Sequence, residues 1–309
     1  LIQFIYKMYY SIAAAIGTGS DRSSKRSLMK LHAVLVGINR YQDARISALQ
    51  YAASDAERFY GQLAGSLAAE DLSLRLLIDE QATRKAIVTV IGEYLPRQAR
   101  REDVVLLYFA GHGSPETSEA PDRFSRYLIA HDTEYDAIFA TGLDLEHDLI
   151  RLLERLPARL VVVILDTCFS GRAGGRTFEG PLLHSRRTEV RGPAAFVPGL
   201  QDLPLGEGRI ILAACDDDEV AGEDGRLRQG IFTYFLLQAL SGPEASGSGP
   251  DEPEERTISL STLYDRVAMA VVAFTRGRQH PVLNGRLSLA RLPLLRPPER
   301  WSGKEKRKE

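Results

Sequence analysis

Cysteine is scarce in this chain: its 309 residues hold only Cys168 and Cys215. Two thiols cannot make a disulfide framework, and the absence of any Cys-x-x-Cys pair excludes a cysteine-built zinc module. Such cysteine usage suits a reducing compartment, so a cytoplasmic location is expected. Excess charge of one sign is also lacking. Lys and Arg number 39 against 41 Asp and Glu, a net charge of −2, so no nucleic-acid surface is expected. Long apolar runs are missing too. The opening "LIQFIYKMYYSIAAAIG" falls short of the roughly 18 residues a membrane span needs, and Lys7 interrupts it. Its apolar residues come first, without the positive start of a secretory signal. No membrane association is expected. Residues 1–28 read as an extension outside the folded domain, and Met29 as a sensible start.

What is present is ordinary globular material, 44% hydrophobic and 26% charged, with enough apolar residues for a sizeable core. "LHAVLVGI", "DLSLRLLID", "DVVLLYFAGHG", "ARLVVVILDTC" and "GRIILAAC" read as buried strands, and "RYLIAHD" as a short one. Between them run helical stripes. Leu49, Ala52, Ala56, Phe59 and Leu63 form one. Ile87, Val90 and Ile91 form another, in a helix capped by Thr83 and running through Leu95. Leu145, Leu149, Leu152, Leu153 and Leu156 form a third. "GIFTYFLLQAL" and "SLSTLYDRVAMAVVAF" are later helices. Apolar strands alternating with amphipathic helices predict an α/β fold, a mostly parallel sheet of about six strands with helices on both faces. The domain is expected over residues 29–292. Residues 29–170 form its first part, 171–208 a loop too long for an ordinary connection, and 209–292 its second part. Residues 293–309 read as a charged tail.

Ligands gather at the carboxyl ends of strands in such sheets. Two strands end suggestively there. "LLYFAGHGS" places His112 between Gly111 and Gly113, and "VVILDTCFSG" places Cys168 just past its strand, 56 residues later. That is about one crossover, so neighbouring parallel strands would bring both side chains to one edge. An unperturbed thiol is only about 3% thiolate at pH 7. A nearby imidazole takes its proton and returns it to a leaving amine. The backbone N–H groups of Gly113 and Cys168 are candidate oxyanion donors. The competing interpretation makes Cys168 an apolar filler and His112 a structural turn residue. A phosphatase loop fails on spacing, because Cys-x5-Arg would need Arg where Gly174 stands. No phosphate-binding loop is present.

"AGHGS" and "DTCFSG" resemble the histidine and cysteine boxes of the caspase-like cysteine peptidases, and of their metacaspase and bacterial branch in particular. "HAVLVGINRYQDARISALQYAASDAERF", "YLIAHD", "ILAACDDDEVAGE" and "RQHPVLNG" extend the similarity over roughly Leu31 to Leu292. Thr167 and Phe169 depart from that branch's cysteine box, where Ser and His stand. The resemblance implies a caspase-like three-layer sandwich and peptide-bond hydrolysis by a Cys168–His112 dyad with no required third member. It also implies protein or peptide substrates, no required cofactor, and a possible regulatory partner or fused domain.

The same resemblance bears on specificity. The branch carries an acid two residues before the nucleophile, here Asp166, and a second one two residues after the cysteine of the small-subunit strand, here Asp217. Asp216 and Asp218 are alternatives for that second position. Two carboxylates in one pocket call for a cation between them, so cleavage after Arg or Lys is expected rather than after Asp. The 171–208 loop lies where the family is processed. Arg172, Arg176, Arg186, Arg187 and Arg191 are its candidate self-cleavage positions. The acidic turn Asp216–Glu219 is a candidate for calcium, although no twelve-residue calcium loop occurs. The rival from another class is a catalytically silent scaffold that binds partners through the same cleft.

Overall fold

The structure is a computed structural model that describes residues 29–117, 124–169, 176, 200–217, 219–241 and 260–285. Its strands are β1 (Leu31–Gly37), β2 (Leu72–Ile78), β3 (Val104–Ala110), β4 (Gly113–Thr117), β5 (Phe124–Leu128) and β6 (Leu143–Asp144), then β7 (Leu160–Asp166), β8 (Arg209–Ala213), β9 (Glu223–Asp224), β10 (Gln229–Gly230) and β11 (Val282–Gly285). The helices are α1 (Ala52–Ala64), α2 (Arg84–Thr89), α3 (Leu95–Gln98), α4 (Ile138–Thr141), α5 (Ile150–Glu154), α6 (Ile231–Ser241) and α7 (Leu260–Thr275).

Six strands form one sheet in the order β11-β8-β7-β3-β1-β2. All neighbours pair parallel except β11, which runs antiparallel to β8. Strands β1, β3 and β7 are buried at every position, as a doubly covered sheet requires. Alternate residues supply the two faces. Leu31, Ala33 and Leu35 pack with Ala56, Phe59 and Leu63 of α1, Leu236 of α6 and Val267 of α7. Val34 and Val36 pack with Ile87, Ile91 and Leu95 and with Leu149, Leu152 and Leu153 on the other side. The expected helix–sheet–helix layering is therefore present.

Two helices are less regular than their stripes suggested. Thr83 caps α2 by accepting from the Ala86 N–H at 3.1 Å, as expected, but a π-turn over Val90–Tyr94 separates α2 from α3. Pro96 lacks the N–H that would reach the Gly92 carbonyl, and Arg155 Nε donates there at 2.9 Å instead. The stripe from Leu145 likewise begins as a π-turn, Leu145–Leu149, before α5. The segment read as "RYLIAHD" is strand only to Leu128, in a small antiparallel sheet β4-β5-β6. Beyond that strand, the Ile129 N–H donates to the His112 carbonyl at 3.0 Å. Among the described residues, no helix is long and apolar enough to cross a membrane.

Candidate active site

Strands β3 and β7 pair with Ala110 opposite Asp166. His112 and Cys168 each lie two residues past that pair, so the register itself delivers both to one sheet edge. The Gly111 N–H extends the pairing to the Asp166 carbonyl at 3.4 Å. Gly113 lets the two strand ends approach. A Cβ there would sit 2.5 Å from the Cys168 carbonyl oxygen and 2.8 Å from the Phe169 ring. Phe169 is buried, with its ring against Gly113.

His112 is held from several sides. Its Nε2–H donates to the Ser47 carbonyl at 2.8 Å, with Ser47 Oγ 3.3 Å away. Its backbone N–H donates to Tyr41 Oη at 2.8 Å, and the two rings stack at 5.2 Å. Spending Nε2–H on a carbonyl makes Nδ1 the proton-accepting nitrogen. Burial holds the His112 pKa below the usual imidazole value, so the ring is neutral at pH 7. Cys168 is buried, and its thiol donates to the Glu219 carbonyl.

The third component is Arg176, eight residues past Cys168 and buried to 0% exposure. Its carbonyl accepts from the Gly113 N–H at 3.1 Å, and its own N–H donates to the Ala221 carbonyl at 2.9 Å. Its guanidinium enters a sealed acidic pocket. Nη1 lies 2.8 Å from Asp166 Oδ2 and 3.1 Å from the Asp166 carbonyl. Nη2 pairs with Asp55 and lies 3.4 Å from Glu223 Oε1. Thr233 donates to Asp166, and Tyr108 Oη lies 2.6 Å from Thr233 Oγ1. The Gly230 N–H donates to Asp55 at 2.8 Å. A Cβ on Gly230 would stand 2.5 Å from Arg176 Nη2, so only glycine leaves the guanidinium room.

Charge follows burial here. Asp55 is pushed up to about 6 chiefly by desolvation, with Arg176 opposing and Asp166 adding to the rise. Burial likewise raises Asp166. Burial alone would lower Arg176, but the Asp166 and Asp55 carboxylates outweigh it and keep the side chain charged.

Three residues named from the sequence thus meet at one edge: His112, Cys168 and Asp166, with Gly113 among them and Arg176 seated against all of these elements. Asp217 does not join them. It accepts from Arg126 Nε at 2.7 Å and Nη2 at 2.8 Å, and from the Leu200 N–H at 3.1 Å. Arg126, buried to 2% exposure and also paired with Glu146, requires that carboxylate more than any pocket does. The second and third acids of the pocket are Asp55 and Glu223. Asp55 was legible in principle as the lone acid beside the apolar stripe of α1. Asp216 caps the Asp217 N–H at 2.8 Å, and Asp218 lies outside the described residues. In the described part of the calcium candidate turn, Asp217 is committed to Arg126 and Glu219 to the His280 N–H at 2.6 Å. Among the described residues, no cluster of three His, Cys, Asp or Glu could hold a metal ion. Arg172, Arg186, Arg187 and Arg191 lie outside the described residues, as do 1–28 and 293–309.

Comparison with known proteins adds three findings. The sequence matches the family profile described as "Caspase domain" over residues 30–290. A solved protein of Geobacter sulfurreducens superposes with a TM-score of 0.57 at 20% identity, covering 85% of this chain and 96% of that one. Caspase-1 of Spodoptera frugiperda superposes with a TM-score of 0.49 at 13% identity, covering 88% and 94%. No curated protein matches the sequence.

Proposed function

The chain belongs to the caspase-domain family, and from that premise we propose that it is a cysteine endopeptidase that cleaves after Arg, and more weakly after Lys, and that first cleaves itself after Arg176. The observation that carries this reading is the seating of Arg176. A residue before a scissile bond must offer its carbonyl to the oxyanion donor and its side chain to the specificity pocket. Arg176 does both, at the Gly113 N–H and at the Asp166, Asp55 and Glu223 carboxylates.

In the proposed reaction the Cys168 thiol gives its proton to His112 Nδ1, and the sulfur attacks the arginine carbonyl carbon. The oxyanion is stabilised by the Gly113 N–H. His112 then protonates the departing amine, and water hydrolyses the thioester. Ser47 and Tyr41 hold the imidazole in the required tautomer and plane. Arginine is favoured over lysine because Nη1 and Nη2 reach different carboxylates, which a single ammonium cannot do. Until it is cut, the Arg176 segment fills the site it is recognised by, so the intact chain is self-inhibited.

The test is cleavage of paired fluorogenic peptides ending in Arg, Lys or Asp, with and without calcium, together with intact-mass analysis of the chain. A fragment beginning at Thr177, absent in Cys168→Ala and in Arg176→Gln, is the expected result. An active preparation with the 171–208 loop uncut would overturn the self-cleavage step. No cleavage of any peptide, with the loop cut by an added protease, would return the site to a binding scaffold.

A further inference from the structure

Both cysteines of the chain stand at this one edge. Strands β7 and β8 pair with Leu165 opposite Ala213, and the Ala214 N–H continues the ladder to the Leu165 carbonyl at 2.8 Å. Extending that register sets Thr167 opposite Cys215, and Cys168 one residue diagonal to it. The Cys215 thiol lies 3.6 Å from the Thr167 carbonyl. Strands about 4.8 Å apart with a rise of about 3.3 Å per residue put such diagonal Cα atoms roughly 6 Å apart, inside the roughly 4.4–6.8 Å range of disulfides. The sulfurs also converge: Cys168 and Cys215 both point their thiols at the Glu219 carbonyl, the second from 3.7 Å. Neither is in a disulfide in this state.

We propose that Cys168 and Cys215 form a reversible disulfide under hydroperoxide, which switches the peptidase off and shields its nucleophile from irreversible oxidation. The Cys168 thiolate attacks one peroxide oxygen and the O–O bond breaks, leaving Cys168 as a sulfenic acid and releasing hydroxide, which takes up a proton as water. The Cys215 sulfur then attacks the Cys168 sulfur. The S–O bond breaks, and the hydroxyl leaves as water with the Cys215 proton. Two thiols are oxidised to one disulfide, and one peroxide is reduced to two waters. A small thiol restores both by exchange.

Cys168 is the first to react because His112 serves it as a base. The adjacent Cys168 sulfur and burial hold the Cys215 thiol well above its usual value, so Cys215 stays protonated and is the second to react. No side chain needs to cross the site, since the two sulfurs already share an acceptor. The cross-link depends only on this geometry. Its effect on activity rests on Cys168 being the nucleophile proposed above.

The experiment treats the full chain with hydrogen peroxide, blocks remaining thiols with N-ethylmaleimide and reads the intact mass, and reads Arg-peptide cleavage on the same protein cut after Arg176. The expected result is loss of two hydrogens, no maleimide uptake, a Cys168–Cys215 linked peptide after digestion, and recovery of activity with dithiothreitol. Cys215→Ala should keep its reduced activity, but peroxide should convert its Cys168 to the sulfinic acid and inactivate it beyond recovery. A wild-type Cys168 carried to sulfinic acid while Cys215 still takes maleimide would overturn the proposal. A linked pair in a chain that cleaves no peptide would keep the disulfide and sink the peptidase reading instead.

Discussion

Asp55→Asn tests the acidic pocket with the least change of shape. The carboxylate is fully buried, pairs with Arg176 Nη2, and accepts from Gly230 N–H at 2.8 Å and Gln229 Nε2 at 3.3 Å. An amide of the same size keeps an oxygen for Gly230 but removes the charge. Leaving a buried cation one partner short costs on the order of 3–4 kcal/mol. At about 1.4 kcal/mol per decade that is roughly 100- to 1,000-fold in kcat/KM. Asp166 and Glu223 remain, so the lower end is expected. The assay is hydrolysis of an Arg-ending peptide at pH 8 by variant and wild-type chain both cut after Arg176 by an added protease. Alkylation of Cys168 by iodoacetamide needs no pocket and serves as the control. The account expects a large rise in KM with alkylation intact. Wild-type cleavage by the variant would refute Asp55 as a pocket wall, and loss of alkylation as well would show a folding defect instead.

Other outcomes follow from the same geometry. Gly230→Ala places a methyl against the guanidinium and 2.9 Å from Asp166 Oδ2, so Arg-peptide cleavage should be lost in a variant that melts near the wild-type temperature. Because burial raises the Asp55 pKa and a guanidinium needs that carboxylate ionised, kcat/KM should fall on the acid side, and Asp55→Asn should flatten that limb in a stopped assay. Asp217→Asn should lower stability by roughly 1–3 kcal/mol in urea unfolding, through Arg126, while leaving the preference for arginine unchanged. Tyr41→Phe removes the acceptor of the His112 N–H and should lower kcat with little change in KM, read from steady-state kinetics.

The sheet was legible because β1, β3 and β7 are unbroken apolar runs, and such runs have few other places to go. That His112 and Cys168 end at one sheet edge was legible because register follows from strand ends: each lies two residues beyond the Ala110–Asp166 pair. The pocket was only half legible. Asp166 sits on a strand and travels with the register, whereas the acidic turn after β8 has no periodicity to fix which carboxylate faces inward. Asp217 was taken by Arg126, a long-range pairing 91 residues apart that leaves no mark in local sequence. Asp55 carried a signal, an acid beside a buried helical stripe, that propensity alone treats as surface. Helix breaks at Gly92 and after Asp144 were missed because a stripe reports which side is buried and not how the backbone hydrogen bonds close.

The most direct measurement is covalent labelling by two peptidyl chloromethyl ketones, one ending in Arg and one in Asp, on the chain cut after Arg176. Intact mass and peptide mapping would locate the adduct, with Cys168→Ala as the blank. The account predicts a single adduct on Cys168 from the Arg reagent and none from the Asp reagent. Labelling by the Asp reagent instead would contradict the acidic pocket, and an Arg-reagent adduct on any residue but Cys168 would contradict the dyad.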